Sequence, residues 1–293
     1  MPNHLRWYLK GKNNDMNELR IAFATCVKLG LSCIEEIYRI GGHLDLMITL
    51  KDDYLPNKSG RIYLDDISAK HNVDLLKIRN INEEVVINKL KEKKIDWLFI
   101  IGWSQIAKKE LLETPKYGCI GMHPMLLPKG RGRAAIPWAI LKGLSETGVT
   151  MFKLDEGVDT GDIIGQGVIP LSANTTATEL YEAVNNMHIE LISNYWNDIV
   201  LNRVSLIKQN NDLATYWEER KPSDGLINTG MSVYEAETYV RALTHPYPGA
   251  FLINDGHKII IWTAHISQES VTNSIKFRDG YLVLDNFEVE ECH

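Results

Sequence analysis

His123 and Asp159 are the two side chains in this sequence best suited to moving a proton. An imidazole titrates near neutral pH, and a carboxylate can fix its tautomer and support its charge, so the pair suits general acid/base work on an amine nucleophile. Both lie in segments shaped by proline and glycine. Pro124, Pro128, Gly130 and Gly132 follow the imidazole as a stiff loop, while Gly157 and Gly161 bracket the carboxylate in a turn whose backbone can approach a ligand closely. Asp155, Glu156, Asp159 and Asp162 crowd that turn, but their spacing is not that of a calcium loop. No nearby His or Cys completes a transition-metal set, so no metal is expected.

The elements around these residues read as an α/β protein with a Rossmann-like, mainly parallel sheet and a smaller β-rich C-terminal domain. Apolar runs predict strands over 20–26, 44–50, 74–78, 96–101 and 118–122, with helices over 31–40 and 83–93. The fifth strand delivers His123 at its carboxyl end, where open α/β sheets hold their ligands. Two further strands, 145–154 and 162–170, carry Asp159 in the turn between them. Thr176 and Glu179 have the spacing of a capping box, and Leu180, Val184, Met187 and Leu191 then share one face of a helix running to about residue 200. The polar stretch 209–211 marks the expected boundary between a catalytic domain, 17–208, and the C-terminal domain, 209–293, with a helix over 233–243. Residues 1–16 read as an N-terminal extension.

Composition bounds the function. The chain has 293 residues, 44% of them hydrophobic, enough for a real core. It has no run of eighteen apolar residues and no apolar leader, which points to a cytoplasmic protein without a membrane partner. Cys26, Cys33, Cys119 and Cys292 lie too far apart for a zinc or disulfide framework, so free thiols are expected. The net charge is −6, and residues 207–293 hold seven Lys and Arg against thirteen Asp and Glu, which argues against a nucleic-acid partner. The turn after the first strand, Ala24 to Gly30, lacks the GxGxxG of dinucleotide enzymes, and no GxxxxGK[ST] phosphate loop occurs. Lys28, near that helix start, could meet a substrate phosphate or be a solvated surface lysine. The other eight histidines, His188 among them, form no ligand spacing and read as surface or packing residues.

The runs HPMLLPKGRGRA and LDEGVDTGD, with His123 and Asp159 at this separation, resemble the N10-formyltetrahydrofolate-dependent formyltransferases. That family includes methionyl-tRNA formyltransferase, glycinamide ribonucleotide transformylase and the sugar N-formyltransferases. The likeness runs from about residue 20 to 208 and resumes over 217–251, where WEERKPSDGLIN and VRALTHPYPGAF resemble the C-terminal module of the tRNA and sugar branches. It implies catalysis by His123 and Asp159, and N10-formyltetrahydrofolate as co-substrate. It also implies that the main chain of Gln105, Ile106 and Ala107 and the loop Asp155, Glu156, Gly157, Val158 and Asp159 meet the folate pterin, that Arg133 matches a cofactor-contacting arginine of the sugar branch, and that the protein is a homodimer. Trp7, Trp196, Trp217 and Trp262 could anchor such a contact or be core.

One position departs from the family's Asn-x-His, which here is Gly121-Met122-His123. The missing amide is an oxyanion donor, and losing one such donor costs about 10²–10³ in rate elsewhere. Ser104, Gln105 or loop N–H groups are the candidate replacements. The stretch GRGRAAIPWAI and the pairing of RKPSDGLIN with PYPGAF look closest to the sugar branch, which implies formyl transfer to the amine of a nucleotide-linked amino sugar. Methionyl-tRNA formyltransferase is the first alternative, and a folate- or sugar-nucleotide-binding paralogue with impaired catalysis, motivated by Gly121, is the second.

Overall fold

The computed structural model describes residues 19–55 and 60–291; the expected extension 1–16, and Trp7 with it, lies outside the described residues. Strands β1 (Ile21–Ala24), β2 (Leu46–Leu50), β3 (Asp74–Ile78), β4 (Trp97–Ile100) and β5 (Gly118–His123) pair in parallel in the order β3-β2-β1-β4-β5. β1, β2, β4 and β5 are buried along their whole length, as strands covered on both faces by helices must be, and each is accordingly a short, mostly apolar run. β7 (Glu146–Lys153) then pairs antiparallel with β5, and β8 (Ile163–Pro170) antiparallel with β7. The sheet is thus mainly parallel, closed on one side by a hairpin. β5 ends on His123, and the turn between β7 and β8 brings Asp159 back towards it.

Two apolar layers hold the sheet. Helices α1 (Lys28–Arg39) and α6 (Ala177–Val200) cover one face, where Ile34, Ile37, Leu191 and Trp196 pack with Phe23 and Phe99. α2 (Asp65–His71) lies beside β3, while α3 (Glu84–Glu92) and α4 (Lys109–Glu113) cover the other face through Val86, Leu90 and Leu111 against Ala22, Ile48 and Leu98. α6 starts where the sequence indicates: the Thr176 hydroxyl accepts from the Glu179 N–H, and the Glu179 carboxylate accepts from the Thr176 N–H. Trp196 is core rather than surface. Three short helices, α2, α4 and α5 (Ala135–Leu141), were not expected, because each is two turns or less and too brief for a 3.6-residue period to show. Cys26, Cys33 and Cys119 are buried and in no disulfide, and burial pushes the Cys119 thiol up to about 12.

Beyond α6 the chain returns across the end of the sheet that carries His123 before it leaves. Ile207 bridges Ile163, and the two-residue strand β9 (Tyr216–Trp217) pairs with β6 (Arg131–Gly132) in the loop after His123. The segment expected as a domain boundary therefore lies against the loop that follows His123. α7 (Val233–Leu243), capped by Ser232 and Glu235, follows. It packs on an antiparallel sheet of β10 (Ala250–Asn254), β11 (His257–Ser267), β13 (Gly280–Glu291) and β12 (Ser274–Phe277), in that order. Among the described residues, no helix is long and apolar enough to cross a membrane.

Candidate active site

His123 has a defined tautomer. Its Nε2 lies 2.8 Å from the Gly130 carbonyl oxygen, which can only accept, so Nε2 carries the hydrogen. The lone pair of the neutral ring is then on Nδ1, and Nδ1 faces Oδ2 of Asp159 at 3.6 Å. Neither atom then has a hydrogen to give the other, so the uncharged ring and the carboxylate are not hydrogen-bonded. A proton arriving at Nδ1 would make a cation between the Gly130 carbonyl and the Asp159 carboxylate, so the geometry is that of a base waiting to be charged. Both side chains are mostly buried, at 10% and 19% exposure, where such an attraction is screened far less than at a surface.

The two loops are locked to each other. The Gly132 N–H donates to Asp159 Oδ2 at 2.8 Å, placing the carboxylate directly from the loop that follows the imidazole. Gly132 has φ 110°, and a Cβ there would meet the Trp217 carbonyl oxygen at 2.3 Å, so neither its backbone nor its space admits another residue. Gly161 is fixed likewise: a Cβ would lie 1.7 Å from the Lys153 carbonyl oxygen, where β7 and β8 converge. Asp159 itself takes φ 54°, a left-handed conformation that costs a non-glycine residue roughly 1–3 kcal/mol unless its surroundings enforce it. Asp155 shapes the approach, its Oδ1 accepting from the Gly157 N–H at 3.1 Å and the Thr160 hydroxyl at 2.6 Å.

The pair opens into a cleft of about 730 Å³ at the carboxyl ends of β4 and β5. Gln105, Ile106, Ala107, Arg133, Asp155, Gly157 and Val158 all line it with His123 and Asp159. The Gln105 side chain is occupied in bracing the wall, accepting from the Ile81 N–H and the Trp103 indole and donating to the Arg79 carbonyl. These bonds occupy its oxygen and one of its two amide hydrogens. Arg133 pairs with Glu219 and donates to the Ser104 carbonyl across the cleft mouth. Two expected site residues fall elsewhere. Glu156 is exposed and faces Lys109 at 3.6 Å, and Lys28 is exposed on the first turn of α1; neither lines the cleft, because each is turned to the outer surface of its loop or helix. At Gly121 a Cβ would meet Leu154 Cδ2 at 2.7 Å, so the space of the missing amide is taken by an isobutyl group. Among the described residues, no cluster of three His, Cys, Asp or Glu could hold a metal ion.

His188 is a lining residue that sequence reasoning treated as packing. It sits on the apolar face of α6, 1% exposed, with Nδ1 donating to the Val184 carbonyl at 2.7 Å. Only its place one turn after Val184, on the buried stripe, hinted at this. Burial, opposed by the Val184 bond and reinforced by His123, lowers its pKa from 6.5 to about 4. The folded state therefore refuses a proton that the unfolded state accepts below about 6.5. Stability should fall as pH drops from about 6.5 to about 4, by roughly 3 kcal/mol from this group. Thermal melts across that window should show a shallower decline for His188→Gln than for the native chain; parallel slopes would remove His188 as the cause.

Comparison with known proteins gives the family. A family model for formyl transferase matches residues 49–195, and one for the formyl transferase C-terminal domain matches 220–285. The bifunctional polymyxin resistance protein ArnA of Wigglesworthia glossinidia brevipalpis is 32% identical over 242 residues, covering 83% of this chain, which spans 36% of that protein's length. Methionyl-tRNA formyltransferase of Lachnospira eligens is 26% identical over 93% of this chain and 92% of its own. Among solved structures, an N-formyltransferase from Helicobacter canadensis in complex with folinic acid and dTDP-3-aminofucose superposes with TM-score 0.69 at 21% identity, over 92% of this chain and all of that one. Methionyl-tRNA formyltransferase from Clostridium thermocellum superposes with TM-score 0.63 at 20% identity, over 93% and 99%.

Proposed function

The chain belongs to the formyl transferase family, and from that premise we propose that it moves the formyl group of N10-formyltetrahydrofolate to the amine of a nucleotide-linked amino sugar. The observation that carries the chemistry is the bare Nδ1 of His123 facing Asp159 at the floor of the cleft. The cleft suits a flat heteroaromatic donor. Ile106 and Val158, 67% and 49% exposed, are apolar side chains on its walls that would cover ring faces, and the adjacent backbone can meet ring-edge donors and acceptors.

The donor supplies an electrophilic formyl carbon on a nitrogen that becomes a leaving group. In this reading, the acceptor amine adds to that carbon as His123 Nδ1 takes the amine proton. Asp159 balances the imidazolium, and His123 then returns a proton to the departing folate nitrogen as the carbon–nitrogen bond breaks. Holding two substrates together in one cleft contributes heavily to such a step.

Charge favours the sugar over tRNA as acceptor. Residues 207–293 carry seven basic against thirteen acidic side chains, and a protein that grips tRNA must neutralise phosphates. Methionyl-tRNA formyltransferases are as similar in sequence, so the acceptor is tested directly. The protein is incubated with formyl donor and a set of UDP-, GDP- and dTDP-linked amino sugars, and mass spectrometry reads the gain of one carbonyl. A formylated sugar nucleotide is expected. Formylation of charged initiator tRNA alone, with salt-sensitive binding, would replace this reading.

A further inference from the structure

The polar stretch 209–211, after α6, contains a side chain that reaches back to the turn carrying Asp159. Gln209 makes four hydrogen bonds. Its Nε2 donates to the Asp159 carbonyl at 2.9 Å and to the Gly161 carbonyl at 2.7 Å, and its Oε1 accepts from Arg131 Nε at 3.2 Å and Nη2 at 2.8 Å. One carboxamide thus ties the backbone of the catalytic aspartate to the loop that follows the catalytic histidine.

Arg131 explains why that amide cannot turn over. Its guanidinium is 1% exposed and held by uncharged groups, donating also to Tyr216 Oη and Asn211 Oδ1, both at 2.8 Å. A guanidinium only donates, so the face of Gln209 it touches must be the oxygen. The amide nitrogen is left pointing at the Asp159 turn. Such an anchor helps to hold the left-handed backbone of Asp159, a conformation uncommon for any residue other than glycine. Gly132 fixes the carboxylate end and Gln209 the carbonyl end, and the separation to His123 follows from both.

We propose that Gln209 is a positioning residue for formyl transfer, oriented by Arg131, that holds Asp159 at its working distance from His123. This rests on the proposed function for its catalytic readout but not for its structural one. The decisive variant is Gln209→Glu. A carboxylate strengthens the contact with Arg131 but has no hydrogen to give the two carbonyls. Its second oxygen would also face those two carbonyls, so some loss of melting temperature is expected in either case. If Gln209 merely fastened the strap, the folded variant would turn over normally; as a positioning residue it should lose roughly 10- to 100-fold in kcat at a temperature well below its melt, with KM for donor and acceptor within about twofold. Undiminished kcat in Gln209→Glu would overturn the proposal.

Gln209→Met, close in shape and lacking all four bonds, gives a second readout without substrate. The His123 ring is followed by histidine NMR, assigned by the signal missing from His123→Asn. Its ring resonances, compared at one pH, should move from their wild-type positions in Gln209→Met as the carboxylate leaves its place 3.6 Å from Nδ1. Unmoved resonances would also overturn the proposal, even should no acceptor be turned over and the formyl-transfer reading itself fail.

Discussion

Asp159→Asn should reduce kcat by about 10²–10⁴, the usual worth of general acid/base assistance, while the protein folds and melts close to wild type. Asparagine enters the left-handed region about as readily as aspartate, so the φ of 54° is kept, and its side-chain oxygen can still accept from the Gly132 N–H. Only the charge facing His123 Nδ1 is lost. The neutral amide leaves the imidazolium uncompensated in a mostly buried site, so proton transfer from the amine becomes uphill. Asp159→Ala tests less cleanly, because it also removes the Gly132 contact and loads strain on the turn. His123→Ala should silence turnover to a similar extent, and the double variant should lose little more than either single one, since the two groups act as a unit. Steady-state kinetics with donor and acceptor, beside a thermal melt, checks this. Wild-type turnover in either single variant would refute the assignment.

That charge pair was legible in the sequence because its positions follow from local signals. The buried run ending at His123 is a strand by composition, the next two strands flank Asp159, and Thr176 with Glu179 marks the start of α6. What stayed hidden depends on contacts distant in sequence. Strand β9 is two residues long and exists only because the Gly132 and Trp217 backbones touch, so the polar run before it read as a linker. The tautomer of His123 depends on where the Gly130 carbonyl points, and no spacing rule encodes that. Gln105 sits on the expected cleft wall, but only the fold shows that its amide braces Arg79, Ile81 and Trp103. Lys28 fails for the opposite reason. Its place at a helix start was correct, yet the first turn of α1 presents it to solvent, while its neighbours Val27 and Leu29 line the cleft.

Restoring an amide beside His123 should make the enzyme faster, but only if room is made for it. Gly121 lies two residues before His123, on the same face of β5, since side chains alternate along a strand. An asparagine there would aim its amide into the cleft. The obstacle is Leu154, whose Cδ2 and Cγ would sit 2.7 and 3.2 Å from the new Cβ. Gly121→Asn alone must push that side chain off its place in a wall shared with Phe152, so it should be neutral or slower. Gly121→Asn with Leu154→Ala removes the clash. It should raise kcat by roughly tenfold, short of the 10²–10³ that a preorganised oxyanion donor is worth in a site built around it. The gain should appear in kcat rather than in KM, because the added hydrogen bond strengthens as charge develops on the formyl oxygen. Leu154→Ala by itself is the control, and should lose some stability without gaining rate. Should the folded double variant show no advantage over that control, the oxyanion is already served by a backbone N–H of the loop after His123, and Gly121 is a compensated loss rather than a defect.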